Sequence, residues 1–341
     1  MKKEYSISLI RTIALFMIIA CHILQGLNNR LAFYVNVGVQ IFFFISGYLY
    51  GKKKISDPGK FYKKQFIKIL QPYIIVLFSI IFVDVVIFNV PSIPLKTILG
   101  NALGFGAFTG THKVLTHTWF VTYILLCYLI TPLLSNYLEL SNKKQTDIFK
   151  IIFILFAIAF LVNFFGVVNF NAFWVVNYIL GYIFSMYYVK NGYNYKKILD
   201  LTLIVIILLL PFRMYIESNL LDSTNFLILK FCDFYHVILG CGIFLSLYRI
   251  FNKNSFNSKT KKILDFFDKY SYFIYLVHQI FILNKYSYLF ITDYLILNII
   301  FIILSSIFWG VCLFKVNNIT TKLINLCYKK LNWRNKNEKE N

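Results

Sequence analysis

Long apolar runs separated by short lysine-bearing segments dominate this chain, and a peptide that is apolar over 18 or more residues must either cross a bilayer or lie in a very large core. The 341 residues are 59% hydrophobic and only 14% charged, with a mean hydropathy of +0.67, outside the range of ordinary soluble domains. An all-α, polytopic membrane bundle is therefore expected. Apolar runs of ~18–25 residues suggest about ten spans, over 7–27, 36–50, 67–89, 118–138, 148–165, 172–189, 198–216, 227–251, 271–291 and 293–316. Residues 1–316 then form one membrane unit and 317–341 a basic cytoplasmic tail. The first run is long enough to span and no small-residue cleavage site follows it, so it reads as a membrane helix and not a removable leader.

The net charge of +21 does not indicate nucleic acid, because the bases punctuate the apolar runs and form no basic domain with its own core. With a cytoplasmic N-terminus, the inner segments hold Lys2, Lys3, Lys52, Lys53, Lys54, Lys60, Lys63, Lys64, Lys143, Lys144 and most of the remaining lysines. The outer segments hold only Arg30, Lys96, Lys113 and Lys285. The positive-inside rule then places both termini in the cytoplasm and the protein in the cell membrane as a multi-pass protein. Five of the six cysteines fall within apolar runs; their spacing suggests packing, with neither a disulfide framework nor a metal site.

Within Ile7–Leu27 the ionisable residues are Arg11 and His22. Eleven steps of ~100° bring them within ~20° of one helical face, ~16 Å apart along the axis, with His22 ~23 Å from Ile7. Intramembrane ionisable residues face interior cavities in preference to lipid. A neutral imidazole there can act as general base toward a hydroxyl. Arg11 suits a phosphate, a thioester oxygen or a carboxylate, and equally a snorkelling anchor. Gln25, three residues past His22, is a neighbouring donor for developing negative charge.

At the start of the third run, Lys60, Lys64 and Lys68 form a helical ridge suited to cofactor phosphates or to anionic headgroups. His117-Thr118-Trp119-Phe120 opens the fourth run. An indole at this position serves either the interfacial belt or a sugar ring stacked on its face. His278 and His236 suit packing and chemistry equally. Asp84 and Arg213 are expected to pair in the outer leaflet. The outer segment from Asn89 to His117 contains Pro91, Pro94 and four glycines, which permit a hairpin that folds back on itself and binds or covers an acceptor. No Walker loop, Gly-x-Ser-x-Gly elbow, His-Glu-x-x-His or dinucleotide fingerprint is present, so ATP-driven transport and metalloproteolysis lose weight.

These features resemble the membrane-bound acyltransferase-3 superfamily, whose bacterial members acylate extracytoplasmic glycans. The resemblance rests on Arg11 with His22, Asn36-Val37-Gly38-Val39 with Phe42-Phe43-Phe44-Ile45-Ser46-Gly47, Lys64-Gln65-Phe66-Ile67-Lys68 running into Pro72-Tyr73, Trp119-Phe120, and Tyr275-Leu276-Val277-His278. It covers nearly the whole chain in the same order. It implies His22 and Arg11 as catalytic residues; Lys60, Lys64, Gln65 and Lys68 as contacts for acyl-CoA, most simply acetyl-CoA, with no metal; and Gln25, Ser46, His117, Trp119 and His278 as contacts for a cell-surface glycan acceptor. The family has two arginines where this chain has Gln65 and Lys68, which removes the bidentate fork. Some relatives append a soluble esterase-like domain that the resemblance does not include here. The bundle is then expected to complete the transfer itself or to hand the acyl group to a polysaccharide-assembly protein. The competing reading is an exporter or flippase of polysaccharide or lipid-linked sugar.

Overall fold

The computed structural model describes residues 3–89, 93–139, 145–165, 170–190, 192, 194–220 and 226–340. Along the chain these form α1 (Tyr5–Gly26), α2 (Ala32–Val35), α3 (Gly38–Gly51), α4 (Pro58–Val86), α5 (Leu95–Ala102) and α6 (Gly106–Thr109). A 3-10 turn, Lys113–Thr118, leads into α7 (Trp119–Glu139), followed by α8 (Gln145–Phe165) and α9 (Phe173–Ile183), which continues as a π-helical turn, Phe184–Lys190. Then come α10 (Lys196–Asn219), α11 (Phe226–Phe251), α12 (Ser258–Val277) with a terminal 3-10 turn at His278–Phe281, and α13 (Leu295–Glu340).

Among the described residues there is no strand, and 7 helical segments are long and apolar enough to cross a membrane: Tyr5–Gly26, Ala32–Gly51, Pro58–Val86, Lys113–Leu138, Lys196–Asn219, Leu227–Phe251 and Leu295–Cys327. Two further apolar helices, Lys150–Asn163 and Phe173–Val189, are shorter. Burial separates centre from periphery: in an 18-residue apolar stretch of Lys113–Leu138, 67% is buried, against 11% in that of Lys196–Asn219. Phe153, Ile207, Leu208, Leu304 and Phe308 all face outward, as lipid-contacting side chains do in a bundle whose hydrophobicity extends to its surface.

The run expected to span 271–291 folds differently. Its helix starts earlier, at Ser258, and ends at Val277. Beyond it, Ile282 and Leu289 are buried inside the bundle, and Asn284 adopts a positive φ of 100° that breaks any continuing helix. Apolar residues that line a buried loop are indistinguishable by composition from those of a span. The last helix also runs on past the expected boundary at 316, to Glu340.

The tightest packing lies between α3 and α9. A Cβ added to Gly47 would stand 1.9 Å from the main-chain oxygen of Tyr178, and one added to Gly181 would stand 2.0 Å from that of Phe44. One turn along α3, a Cβ on Gly51 would approach the Tyr182 oxygen to 2.6 Å. Small residues spaced four apart let two backbones touch, and within an apolar solvent such close van der Waals contact is a main source of helix association. Further along α3, Gly38 meets the Ala14 oxygen of α1 at 2.6 Å by the same measure, so α3 is pinned to both neighbours.

Local signals set the α4 start. Asp57 accepts from the Lys60 main-chain N–H at 2.9 Å, with Pro58 in the first turn, an N-cap followed by the one residue that loses nothing there. The Lys60 N–H, and then its ammonium, hold the Asp57 carboxyl below the usual range.

Substituting Gly47→Val or Gly181→Ala should therefore force the two helices apart, at a cost of about 1–3 kcal/mol or more. Gly59→Ala, whose Cβ would meet nothing closer than Asp57 at 3.5 Å, should leave the fold intact. Detergent-phase size exclusion and thermal unfolding of the three variants check this, with lost or broadened monodisperse protein expected for the first two only.

Candidate active site

Three imidazoles from three distant parts of the chain meet. His22 lies near the C-terminal end of α1, His117 in the turn that opens α7, and His278 in the turn that closes α12. Their ring centroids stand 5.1 Å apart for His22 and His278, 4.9 Å for His117 and His278, and 6.2 Å for His22 and His117. His117 and His278 are buried, whereas His22 is half-buried. The described residues hold no group of histidine, cysteine and carboxylate side chains arranged to bind a metal ion.

Each ring is held through Nδ1. His22 Nδ1 lies 2.8 Å from Gln25 Oε1, His117 Nδ1 2.5 Å from Gln279 Oε1, and His278 Nδ1 2.6 Å from the Tyr275 main-chain oxygen. Tyr275 also donates its hydroxyl to the His117 main-chain oxygen at 2.7 Å, and its ring lies 5.1 Å from that of His117. The Nε2 atoms of His117 and His278 are buried with no hydrogen-bond partner in the protein. Both nitrogens are thus available to exchange a proton or a hydrogen bond with a group that enters the cluster.

A second polar cluster holds the loops that carry these rings. Asp84 of α4 is buried; its carboxylate pairs with Lys285 at 2.8 Å and with His112 at 3.4 Å, and accepts from the Tyr286 hydroxyl. His112 immediately precedes the turn bearing His117, and Lys285 and Tyr286 follow the turn bearing His278. Burial lowers the His112 pKa most, and the nearby Lys285 charge adds to this while Asp84 opposes it. The expected Asp84–Arg213 pair does not form. Arg213 is buried beside Glu217 at 3.8 Å, its guanidinium over the rings of Phe33 and Tyr34 at 5.4 and 5.7 Å. Two acids were available to two cations, and sequence distance does not reveal which helices meet. His236 bonds the Phe33 main-chain oxygen at 2.9 Å and belongs to that second region.

Toward the opposite end of α1, Arg11 pairs with Asp268 of α12 at 3.0 Å, and Asp268 also binds Ser8 at 2.6 Å and Lys3 at 2.8 Å. These side chains border a cavity of about 280 Å³ together with Glu4, Lys52 and Lys53. Of the expected ridge, Lys68 lies in the field of Arg11, Lys53 and Lys64, Lys64 is exposed, and Lys60 turns back to Asp57 at 3.1 Å. Gln65 is not on the ridge: it is buried and accepts from the Tyr50 hydroxyl at 2.5 Å, because on α4 it faces α3 and not solvent. Arg11 and His22 thus stand ~16 Å apart along one helix, each in its own cluster.

The acyltransferase-3 family model, an acyltransferase domain, matches residues 4–315. The chain belongs to this family. No curated protein and no solved structure matches it. Family membership and the apolar helices together make this a multi-pass membrane acyltransferase.

Within the acyltransferase, the remaining expected site residues occupy separate places. Trp119 is half-buried, 4.6 Å from the Trp174 ring and 5.8 Å from that of Tyr123, so one indole face is taken by aromatic neighbours. Ser46 is half-buried on α3, and no hydrogen bond joins it to the imidazoles among the described residues. The hairpin expected between Asn89 and His117 is formed by α5 and α6 over the described part of that segment, 93–117. Buried Asn101 holds it closed, donating to the Thr97 and Gly110 oxygens at 2.7 Å and accepting from the Tyr73 hydroxyl at 2.7 Å. Residues 90–92 of that segment and the lysines at 143 and 144 lie outside the described residues. Sequence reading missed Gln279, Asp268 and Lys53 as partners. Their only local signal is polarity beside an apolar run, which does not name what they touch.

Asp84→Asn should loosen both ring-bearing loops, lowering stability by about 1–3 kcal/mol as the buried acceptor loses charge to its partners. Thermal unfolding in detergent should show a fall of several degrees, and Arg30→Gln, whose guanidinium donates to the Glu217 main-chain oxygen at 3.4 Å, a smaller one.

Proposed function

We propose that the protein is an O-acyltransferase that takes an acyl group, acetyl in the simplest case, from cytoplasmic acyl-CoA and delivers it to a hydroxyl of an extracytoplasmic polysaccharide. The single observation that carries this reading is the half-buried His22 ring set against two buried imidazoles at one end of α1, with a cationic cavity at the other. Both termini are cytoplasmic in this reading. About ten crossings result once Lys150–Asn163, Phe173–Val189 and α12 are counted with the longer spans.

The nucleotide phosphates bind among Arg11, Lys53, Lys64 and Lys68, where the carboxylates of Glu4 and Asp268 balance only part of the positive charge. The pantetheine arm follows α1 over the ~16 Å to His22. There the acceptor hydroxyl gives its proton to the His22 imidazole, its oxygen attacks the thioester carbon, and the carbon–sulfur bond breaks as the CoA sulfur leaves and takes a proton. Gln25, bonded to His22 at 2.8 Å, orients the ring. Arg11 contributes at the donor end, where its charge meets phosphate instead of the reacting carbonyl. The glycan enters from the outer side, along the aromatic wall of Trp119 and Trp174, whose faces suit sugar rings.

His22→Gln and His22→Ala should abolish ester formation on the surface glycan, a loss of at least roughly 10²-fold for removal of a general base, while protein insertion and glycan export persist. Wild-type ester content in either variant would refute His22 as the base, and loss of the exported glycan itself would favour the exporter. Lys53→Ala with Lys68→Ala should raise the KM for acyl-CoA about tenfold, corresponding to ~1.4 kcal/mol, with the acceptor KM unchanged. Equal donor KM values for variant and wild type would remove the phosphate assignment.

A further inference from the structure

Gln279 stands beside His278 in sequence but binds the other buried imidazole. Its side-chain oxygen accepts three bonds: from the His117 main-chain N–H at 3.0 Å, from the Thr116 hydroxyl at 3.0 Å, and from His117 Nδ1 at 2.5 Å. A main-chain N–H can only donate, so the amide atom facing it is oxygen and not nitrogen. That oxygen can only accept. His117 Nδ1 therefore carries its hydrogen, and in the neutral ring Nε2 holds the lone pair, buried with no hydrogen bond of good geometry although the Tyr275 and Leu276 main-chain oxygens lie beside the ring. The same reasoning holds for His278, whose Nδ1 faces a main-chain oxygen. It does not hold for His22, since Gln25 is exposed and no second donor fixes which way round its amide lies.

We infer that Gln279 is a positioning residue: it locks His117 in the tautomer whose Nε2 lone pair belongs to the imidazole cluster, so that the proton taken up by His22 is stabilised there and not repelled. In the opposite tautomer an N–H would occupy the Nε2 position of a ring whose centroid stands 6.2 Å from that of His22, which must become a cation. The O–H bond of the acceptor breaks, an N–H bond forms on His22, and the new charge is shared toward the bare nitrogens of His117 and His278 until the proton passes to the departing sulfur. No co-reactant is needed beyond the alcohol and the thioester. The kinetic part of this inference rests on the acyl-transfer reading; the tautomer part does not.

The test uses full-length protein labelled with 15N-histidine in lipid bilayers, with resonances assigned by single histidine-to-glutamine variants and no substrate present. The wild-type spectrum should show His117 protonated at Nδ1 and bare at Nε2; an Nε2-protonated His117 overturns the inference before any variant is made. Gln279→Met, similar in size but without an acceptor, should lose that signature and lower kcat by roughly 10²-fold with both KM values within about threefold. Gln279→Glu, which keeps an acceptor in place, should retain the protonated Nδ1 and most of the kcat. A Met variant with the wild-type tautomer and kcat, or a Glu variant as impaired as Met, also overturns it. A correct tautomer in a protein that transfers no acyl group defeats the proposed function alone, and an incorrect tautomer in an active enzyme defeats this inference alone.

Discussion

An imidazole withdrawn from water inside an apolar bundle must place its N–H on another group of the protein, because no solvent is there to take it. That constraint organises the centre of this molecule. Two buried rings meet the demand through Nδ1, His117 on the Gln279 side chain and His278 on the Tyr275 main-chain oxygen, while His22 Nδ1 bonds Gln25. All three attachments use Nδ1, and the Nε2 atoms of His117 and His278 stay buried without a hydrogen bond in the protein. The two 3-10 turns that break the helices before α7 and after α12 supply what regular helix cannot: a free main-chain oxygen and a ring set at a helix end. Asp84 then binds the flanking loops together through His112, Lys285 and Tyr286, so the ring positions depend on an ion pair that touches none of them.

Backbone contact does for the helices what this polar cluster does for the loops. Between apolar helices in an apolar solvent little hydrophobic force acts, and association relies on close packing. Gly47 and Gly181 bring α3 and α9 to main-chain contact, and Gly38 brings α3 against α1. The glycines of α3 thus hold the helix carrying both Arg11 and His22 in a fixed place. Fold and site share this cause, since a shift of α3 would displace α1 and carry its imidazole away from the two that come from elsewhere.

What the sequence revealed follows from where the signal was local. Arg11 and His22 stand out because each is an ionisable residue in an apolar run, and their common face follows from helical periodicity alone. The lysine ridge of Lys60, Lys64 and Lys68 follows from the same periodicity, whereas the resemblance alone points to Gln65, which is buried and bonded to Tyr50. Residues 278–291 read as the end of a span because a partly buried loop with apolar Ile282, Leu289, Phe290 and Ile291 is as apolar as a membrane helix. The meeting of His117 with Gln279, 162 positions apart, and the choice of His112 and Lys285 over Arg213 as partners of Asp84, are tertiary facts with no local trace. Local rules identify the residues that need partners; only the fold decides which partners they receive.

One helix joins the two ends of the chemistry. Arg11 and His22 lie eleven positions apart on α1, and a rigid helix fixes that interval at ~16 Å whatever the flanking loops do. At the Arg11 end the charge of the guanidinium is shared with Asp268, itself bonded to Ser8 and Lys3, so the phosphate of the proposed donor would compete with a carboxylate for it. Binding there need not move α1; it need only redistribute hydrogen bonds around Asp268. At the other end, the Nε2 atoms of His117 and His278 are buried with no hydrogen-bond partner in the protein. The glycine-packed helices and the Asp84 cluster hold the rings where they are. A proton or a hydroxyl that reaches the cluster meets these nitrogens, and such an encounter is the step an acyl transfer to an alcohol requires.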